Sequence, residues 1–276
     1  MSITEEVLEK IHLYPGIVDT HTHLIMYETK DLDWKVLIQA CIDNGLDLAM
    51  DIGTNTATFE KRLEMCSLFP QLYLTDGLSV GKSELEDSEM NAALSLLEKQ
   101  IRDNADNPKL LALGEIGLDN FYTYGGPEKQ KKLFDAQLSI ADRFNLPVII
   151  HNREADRETY EMLASHKLSR GGIIHCFSTN YEYAVKFMDL GFLISFSGNV
   201  TYKKSEHIAD AAARIPAHAI LAETDAPFLT PQKVRKYPNW TGFIGHTYDR
   251  LAELRGCTPQ EMTDTVRNNF RKFMQI

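Results

Sequence analysis

Eight short apolar runs, each followed by a segment of helical period, constrain this chain more than any other feature of it. They are Gly16–Asp19, Leu46–Ile52, Leu72–Leu74, Leu110–Leu113, Val148–Ile150, Gly172–Ile174, Phe192–Ser195 and Ile220–Ala222. Near-continuous apolar strands belong to sheets covered on both faces, and strand–helix alternation is the mark of βαβ units and a parallel sheet. Eight βα repeats is the number that closes a barrel, so the sequence predicts an α/β fold, a (β/α)8 TIM barrel. An open, doubly wound sheet is the alternative.

The segment after the fourth run carries clear helix signals. Gly125-Gly126 precede Pro127, which suits the first helical position, and Leu133, Phe134, Leu138, Ala141 and Phe144 form one stripe. Asn145-Leu146-Pro147 stops it. Thr258-Pro259-Gln260-Glu261 opens a closing helix with a good cap. The 276 residues fit one barrel of about 250 residues, and no linker or low-complexity tract interrupts the pattern. Residues 1–276 are therefore read as a single domain.

With 43% hydrophobic and 25% charged residues the chain can bury a large core without staples. A net charge of −10 argues against broad electrostatic adhesion to nucleic acid or anionic membrane and leaves room for a local positive site. Cys41, Cys66, Cys176 and Cys257 have neither disulfide-framework nor zinc-ribbon spacing, which fits a reducing cytoplasm. No basic leader or membrane-spanning apolar stretch is visible, so a soluble, unprocessed protein is expected.

Barrel strands converge at their C-terminal ends, where residues distant in sequence meet. Four of the nine histidines fall there: His21 and His23 after the first run, His151 after the fifth and His175 after the sixth. His21 and His23, two apart on an extended strand, share a face and can chelate one ion. Glu115, in Gly114-Glu115-Ile116-Gly117, is a carboxylate set between small residues and is able to bridge two ions. Asp225 ends the eighth run and suits metal ligation and deprotonation of an attacking water. Taken singly, each also suits a hydrogen bond or ion pair at a strand end. Six nitrogen and oxygen donors on one ion would leave no place for water, whereas two divalent ions (Mg, Mn or Zn) roughly 3.5–4 Å apart would.

Around these, Asp119 suits an outer position beside a ligand, and Glu223 can orient other groups from deeper in the barrel. Cys176 is expected to point away from the site as a buried, inert thiol. His12, His166, His207, His218 and His246 read as ordinary surface or packing histidines.

The stretches DTHTHL at 19–24, GEIGLD at 114–119, PVIIHNR at 147–153, HCFS at 175–178 and ETDAPFLTP at 223–231, in this order, resemble the TatD family of metal-dependent deoxyribonucleases. The resemblance runs from residue 17 to the end. It implies that His21, His23, Glu115 and Asp225 hold one metal while Glu115, His151 and His175 hold the other. It implies hydrolysis of DNA phosphodiesters, often from the 3′ end, with Asp225 and Glu115 as catalytic groups and Arg153 on the phosphate. Two departures bear on substrate geometry: Thr179 stands where the family usually has Gly, and Pro238-Asn239-Trp240-Thr241-Gly242 replaces an Arg-Asn-Glu-Pro-like segment.

The loop after the eighth run still holds Lys233, Arg235, Lys236, Tyr237 and Trp240, suited to tracking a backbone and stacking a base. A solvated loop with an anchoring tryptophan is the other reading. Phe121, Tyr122 and Tyr124 pose the same choice. The expected partner is single-stranded DNA, with no membrane, and the chain is expected to be a monomer. Competing readings are a hydrolase of a small ester, amide or phosphate, including the ester of aminoacyl-tRNA, and a metal-retaining scaffold without catalysis. Many such amidohydrolases bridge their metals with a carboxylated lysine, whereas GEIGLD offers Glu115 and no lysine.

Overall fold

In the computed structural model, which describes residues 2–276, each apolar run lies on a strand of one parallel sheet. The strands are β1 (Ile17–Thr22), β2 (Leu46–Asp51), β3 (Leu72–Asp76), β4 (Leu110–Asp119), β5 (Val148–Arg153), β6 (Gly172–Ile174), β7 (Phe192–Phe196) and β8 (Ile220–Ala222). They follow one another in sequence order, as in a barrel and unlike a doubly wound sheet, whose order reverses. Short α1 (Ile3–Leu8) leads in, and α2 (Trp34–Asp43), α3 (Phe59–Ser67), α4 (Asp87–Asp103), α5 (Pro127–Phe144), α6 (Asp156–Ser165), α7 (Tyr181–Asp189) and α8 (Glu206–Arg214) alternate with the strands. Two helices, α9 (Gly245–Arg255) and α10 (Pro259–Met274), follow β8. Among the described residues no helix is long and apolar enough to cross a membrane.

Local chemistry sets the helix ends. Pro127 starts α5, and Asn145 ends it in the left-handed region at φ 52°. Thr258 and Glu261 exchange side-chain-to-backbone bonds at the start of α10.

Several strands outrun their apolar cores, β4 most of all. The expected Leu110–Leu113 continues through Glu115 to Asp119, because a bulge lies between the pairs Gly114↔Ile149 and Ile116↔Ile150. A bulge adds one residue against the partner strand and re-aims a side chain, and here the extra residue is Glu115. Gly117, at φ 148°, lets the two strands close up: a Cβ there would lie 1.9 Å from the His151 carbonyl oxygen.

Closure uses no long β1–β8 ladder. Past the end of β8, Asp225 N–H donates to the His21 carbonyl at 2.9 Å and His23 N–H to the Ala226 carbonyl at 2.8 Å. Below this, the buried Asp19 carboxylate accepts from the Thr224 amide (2.9 Å), the Thr224 hydroxyl (2.7 Å) and the Thr241 hydroxyl (2.9 Å).

One buried ion pair braces the neighbouring arc. Arg62 of α3 donates from Nε to Asp51 Oδ2 at 2.7 Å, and from Nη2 to the carbonyls of Asp51 (2.8 Å) and Thr75 (2.9 Å). The other oxygen of Asp51 accepts the Leu24 N–H at 2.8 Å, one residue beyond His23. Removing one partner of such a pair leaves a buried charge uncompensated. Arg62→Leu is therefore expected to lower stability by about 3–5 kcal/mol in urea unfolding, and adding Asp51→Asn to recover part of the loss. An Arg62→Leu protein as stable as the parent would show that the pair braces nothing.

Candidate metal centre

The six residues read as ligands, though spread over two hundred positions, meet at the C-terminal mouth of the barrel. β1 ends at Thr22, and His23 begins a 3-10 turn rather than continuing the expected extended strand. The two rings still converge edge to face, with Nε2 of His21 and Nε2 of His23 3.2 Å apart. Asp225 Oδ1 lies 3.6 Å from the first and 3.4 Å from the second. Asp225 itself sits at φ 56°, a left-handed conformation uncommon outside glycine and typical of functional sites.

A second nest adjoins the first. His151 Nδ1 lies 3.0 Å and His175 Nε2 3.3 Å from Glu115 Oε1. The other oxygen, Oε2, faces the first nest, 3.6 Å from His21 Nε2 and 3.7 Å from His23 Nε2. Glu115 thus gives one oxygen to each nest. The ring of His21 stacks on that of His175 at 3.9 Å, which holds the nests side by side.

Outer partners fix two of the rings. Asp119 Oδ2 lies 3.0 Å from His151 Nε2, and its Oδ1 accepts the N–H groups of Phe121 (2.9 Å) and Tyr122 (2.8 Å). Buried Glu223 Oε1 lies 3.3 Å from His175 Nδ1 and accepts the Cys176 N–H at 2.7 Å. Each acid therefore aims the opposite nitrogen of its histidine inward, as the outer carboxylates of metal-bound histidines do.

The donor set fits divalent cations. Burial and the neighbouring His175 lower the pKa of His21 to about 3, so that ring is a neutral lone-pair donor. Burial disfavours charge on His23, His151 and His175 as well, yet the carboxylates around them raise all three above the ordinary value. Glu115, which burial pushes up, is held well below the usual carboxylate range by His175, His151 and His21. The place therefore demands positive charge. The Nδ1 atoms of His21 and His23 have no partner among the described residues, and both rings turn Nε2 into the nest, so Nε2 is the atom each would give to a cation.

The mouth opens into a cavity of about 790 Å³ lined by His23, Glu115, His151, His175 and Asp225, and by Tyr122, Tyr124, Arg153 and Phe228. Arg153 lies over the rings of Phe121 and Tyr122, at 4.1 and 4.8 Å from their centres. Lys233 and Arg235 are exposed on the loop beyond β8 and outside the cavity wall, with Arg235 stacked 4.1 Å over Tyr202.

Two expectations fail. Trp240 is fully buried against Phe243 at 5.6 Å and has no face to offer a base; it is the anchor of its loop. Cys176 does not point away: β6 ends at Ile174, Cys176 turns at φ 46°, and it lines the cavity beside Ser197. Burial and the nearby acids Asp225 and Glu223 raise its thiol pKa well above the usual value, so it is still a poor nucleophile.

Of the departures from the family pattern, Thr179 donates to Asp156 at 2.8 Å. Asn239 ties the loop by donating to the carbonyls of Thr224 (2.9 Å) and Phe228 (2.5 Å). His12 and His246, away from the cavity, stack at 4.6 Å. Asp249 beside them accepts from Tyr14 (2.5 Å) and lies 2.9 Å from His12, which pins the chain before β1 to α9.

Comparison with known proteins follows the same lines. Residues 18–275 match the family described as TatD related DNase. This chain belongs to that family. As a TatD-family member it is a metal-dependent hydrolase. It is 29% identical over 264 residues to the uncharacterized metal-dependent hydrolase YabD of Bacillus subtilis, covering 94% of this chain and 99% of that one. It is 30% identical over 252 residues to YjjV of Escherichia coli, covering 91% and 95%. The crystal structure of the Escherichia coli TatD homologue YjjV superposes with a TM-score of 0.86 at 29% identity, over 95% of this chain and 98% of that one.

Asp119 holds His151 from outside the nest. With its inner nitrogen no longer held in place, His151 should bind metal less well in an Asp119→Asn variant, by about 10–100-fold in a chelator competition titration, with the circular dichroism unchanged. Unaltered affinity would remove Asp119 from the site.

Proposed function

We propose that this chain is a two-metal deoxyribonuclease that shortens single-stranded DNA from its 3′ end. The division of Glu115 carries the reading: one carboxylate places an oxygen in each of two adjoining donor nests. That arrangement serves a pair of ions better than a single one, and a shared pair suits in-line displacement at phosphorus. His21, His23, Asp225 and Glu115 would hold one divalent ion, and Glu115, His151 and His175 the other, with Mg, Mn and Zn all compatible with these donors. Bound there, the ions supply Lewis acidity to the phosphate oxygens and lower the pKa of a coordinated water.

The chain's own groups do the rest. Asp225, turned into the mouth, accepts the proton of the attacking water, and Glu115 holds the two nests together. Arg153, kept in place by Phe121 and Tyr122, meets a phosphate oxygen from the cavity wall. Tyr122, 54% exposed, and Phe121, 52% exposed, offer faces for a base next to it. Membership of a family described by DNase activity supports DNA as substrate, and the 3′ direction is what the motif resemblance implies. No lysine lines the cavity among the described residues, which favours the nuclease over hydrolases that bridge their metals with a carboxylated lysine.

The test uses chelator-stripped protein, end-labelled single-stranded DNA, and Mg, Mn or Zn added back singly. Stepwise shortening from the 3′ end is expected only with metal, and Asp225→Asn is expected to lower kcat by about 10²–10⁴. Intact DNA under every metal condition would overturn the reading.

A further inference from the structure

The loops after β7 and β8 begin at the cavity wall, with Asn199 on one and Phe228 and Leu229 on the other, and then lock together. Tyr202 donates its hydroxyl to the Thr230 carbonyl at 3.1 Å, the Gln232 N–H donates to Thr201 at 2.8 Å, and Arg235 covers the Tyr202 ring. This joint platform displays Lys203 and Lys204 from the first loop and Lys233, Arg235 and Lys236 from the second, all exposed.

None of the five pairs with a carboxylate among the described residues, whereas Arg214 and Arg250 on the adjoining α8 and α9 are each held by an acid, at 2.8 and 2.7 Å. Between Asp225 and Asp249 there is no acidic residue at all. In a chain of net charge −10, five free cations on two interlocked loops beside the metal centre are a local excess of positive charge, tempered at Lys203, which shares a second cavity with Glu206, Asp210 and Glu253, the last two engaged by Arg214 and Arg250. Phe228, 47% exposed, stands at the inner end with its ring 6.1 Å from that of His23.

Resting on the nuclease reading above, we infer that these loops form a phosphate track for single-stranded DNA. The strand lies with one phosphate at the metals, a base against Phe228, and its continuing backbone along Lys233, Lys236, Lys203 and Lys204. Aromatic faces beside a cationic groove are how single strands are held without sequence preference. Of the two cations expected from the sequence to bind substrate, Lys233 thus acts at the rim together with Lys236 and two lysines of the preceding loop, while Arg235 holds the Tyr202 ring.

The test measures binding of a labelled 20-nucleotide single strand by fluorescence anisotropy, using metal-loaded protein carrying Asp225→Asn so that the strand stays whole. Lys203→Ala/Lys204→Ala/Lys233→Ala/Lys236→Ala, which keeps Arg235 on Tyr202, is expected to weaken binding about tenfold or more at low salt. It should flatten the slope of log Kd against log salt by about 0.7 for each cation that had met a phosphate. Lys99→Ala/Lys167→Ala/Lys272→Ala, late in α4, before β6 and late in α10 at the end of the barrel where the strands begin, should change neither. Equal loss in both variants, or unchanged affinity and slope in the first, would overturn the track. Turnover by the Asp225 parent is read separately: a strand bound through these lysines and never cut would keep the track and sink the nuclease.

Discussion

The barrel closes on one buried carboxylate. β8 has only three residues and makes no long ladder with β1, so the seam depends on Asp19 gathering Thr224 and Thr241 from the segment that follows β8. Burial pushes this carboxyl up to about 7, against the pull of those donors. Just above it, the seam's two backbone bonds are made by His21, His23, Asp225 and Ala226. Three of these four carry proposed ligands, so closing the barrel and assembling the first nest are one event. A change that loosened the seam would separate Asp225 from the two histidines before it exposed any core.

The second nest is built by a different device. Glu115 reaches between the nests because β4 spends an extra residue there, and its N–H donates across the mouth to the Gly53 carbonyl at 2.7 Å. Glycines make the approach possible, since a Cβ on Gly77 would lie 2.7 Å from the Gly114 carbonyl carbon. The bulge supplies reach, and Asp119 and Glu223 supply direction to the rings it faces. Neither would suffice alone: a bridging carboxylate without oriented imidazoles gathers no ion, and oriented imidazoles without the bridge make two separate sites.

The strands were legible in the sequence because eight runs such as Val148–Ile150 are too apolar to lie anywhere but between layers. Their ends were not, because polar mouth residues such as Thr22 and Asp119 remain in the ladder where an apolar count stops. The six donors could be read from their place after the runs, since a barrel brings such ends together. Loop side chains could not. Trp240 fits both an anchor and a stacking surface by composition, and only the packing on Phe243 decides between them. Strand alternation points Cys176 away from the site, but β6 ends at Ile174 and the alternation does not reach it. Asp19 and Arg62 leave a fainter mark, a charge inside or beside an apolar stretch that has no solvent-facing reason to be there. Lys203 and Lys204 leave none, because their partner loop lies almost thirty residues away in the chain.

Net charge is a poor guide to what such a molecule admits. At physiological ionic strength the field of a surface charge fades over about 8 Å, so most of the acidic residues on the outer helices are screened from a ligand at the mouth. A ligand there would meet the local set: the carboxylates of Glu115, Asp119 and Asp225, the imidazoles of His23, His151 and His175, Arg153, and the free cations on the β7 and β8 loops. The acidic remainder still matters, because it disfavours nonspecific residence of a polyanion elsewhere on the surface. If the proposed substrate is right, an overall negative charge and a positive rim act in the same direction, each narrowing where an anionic strand could settle.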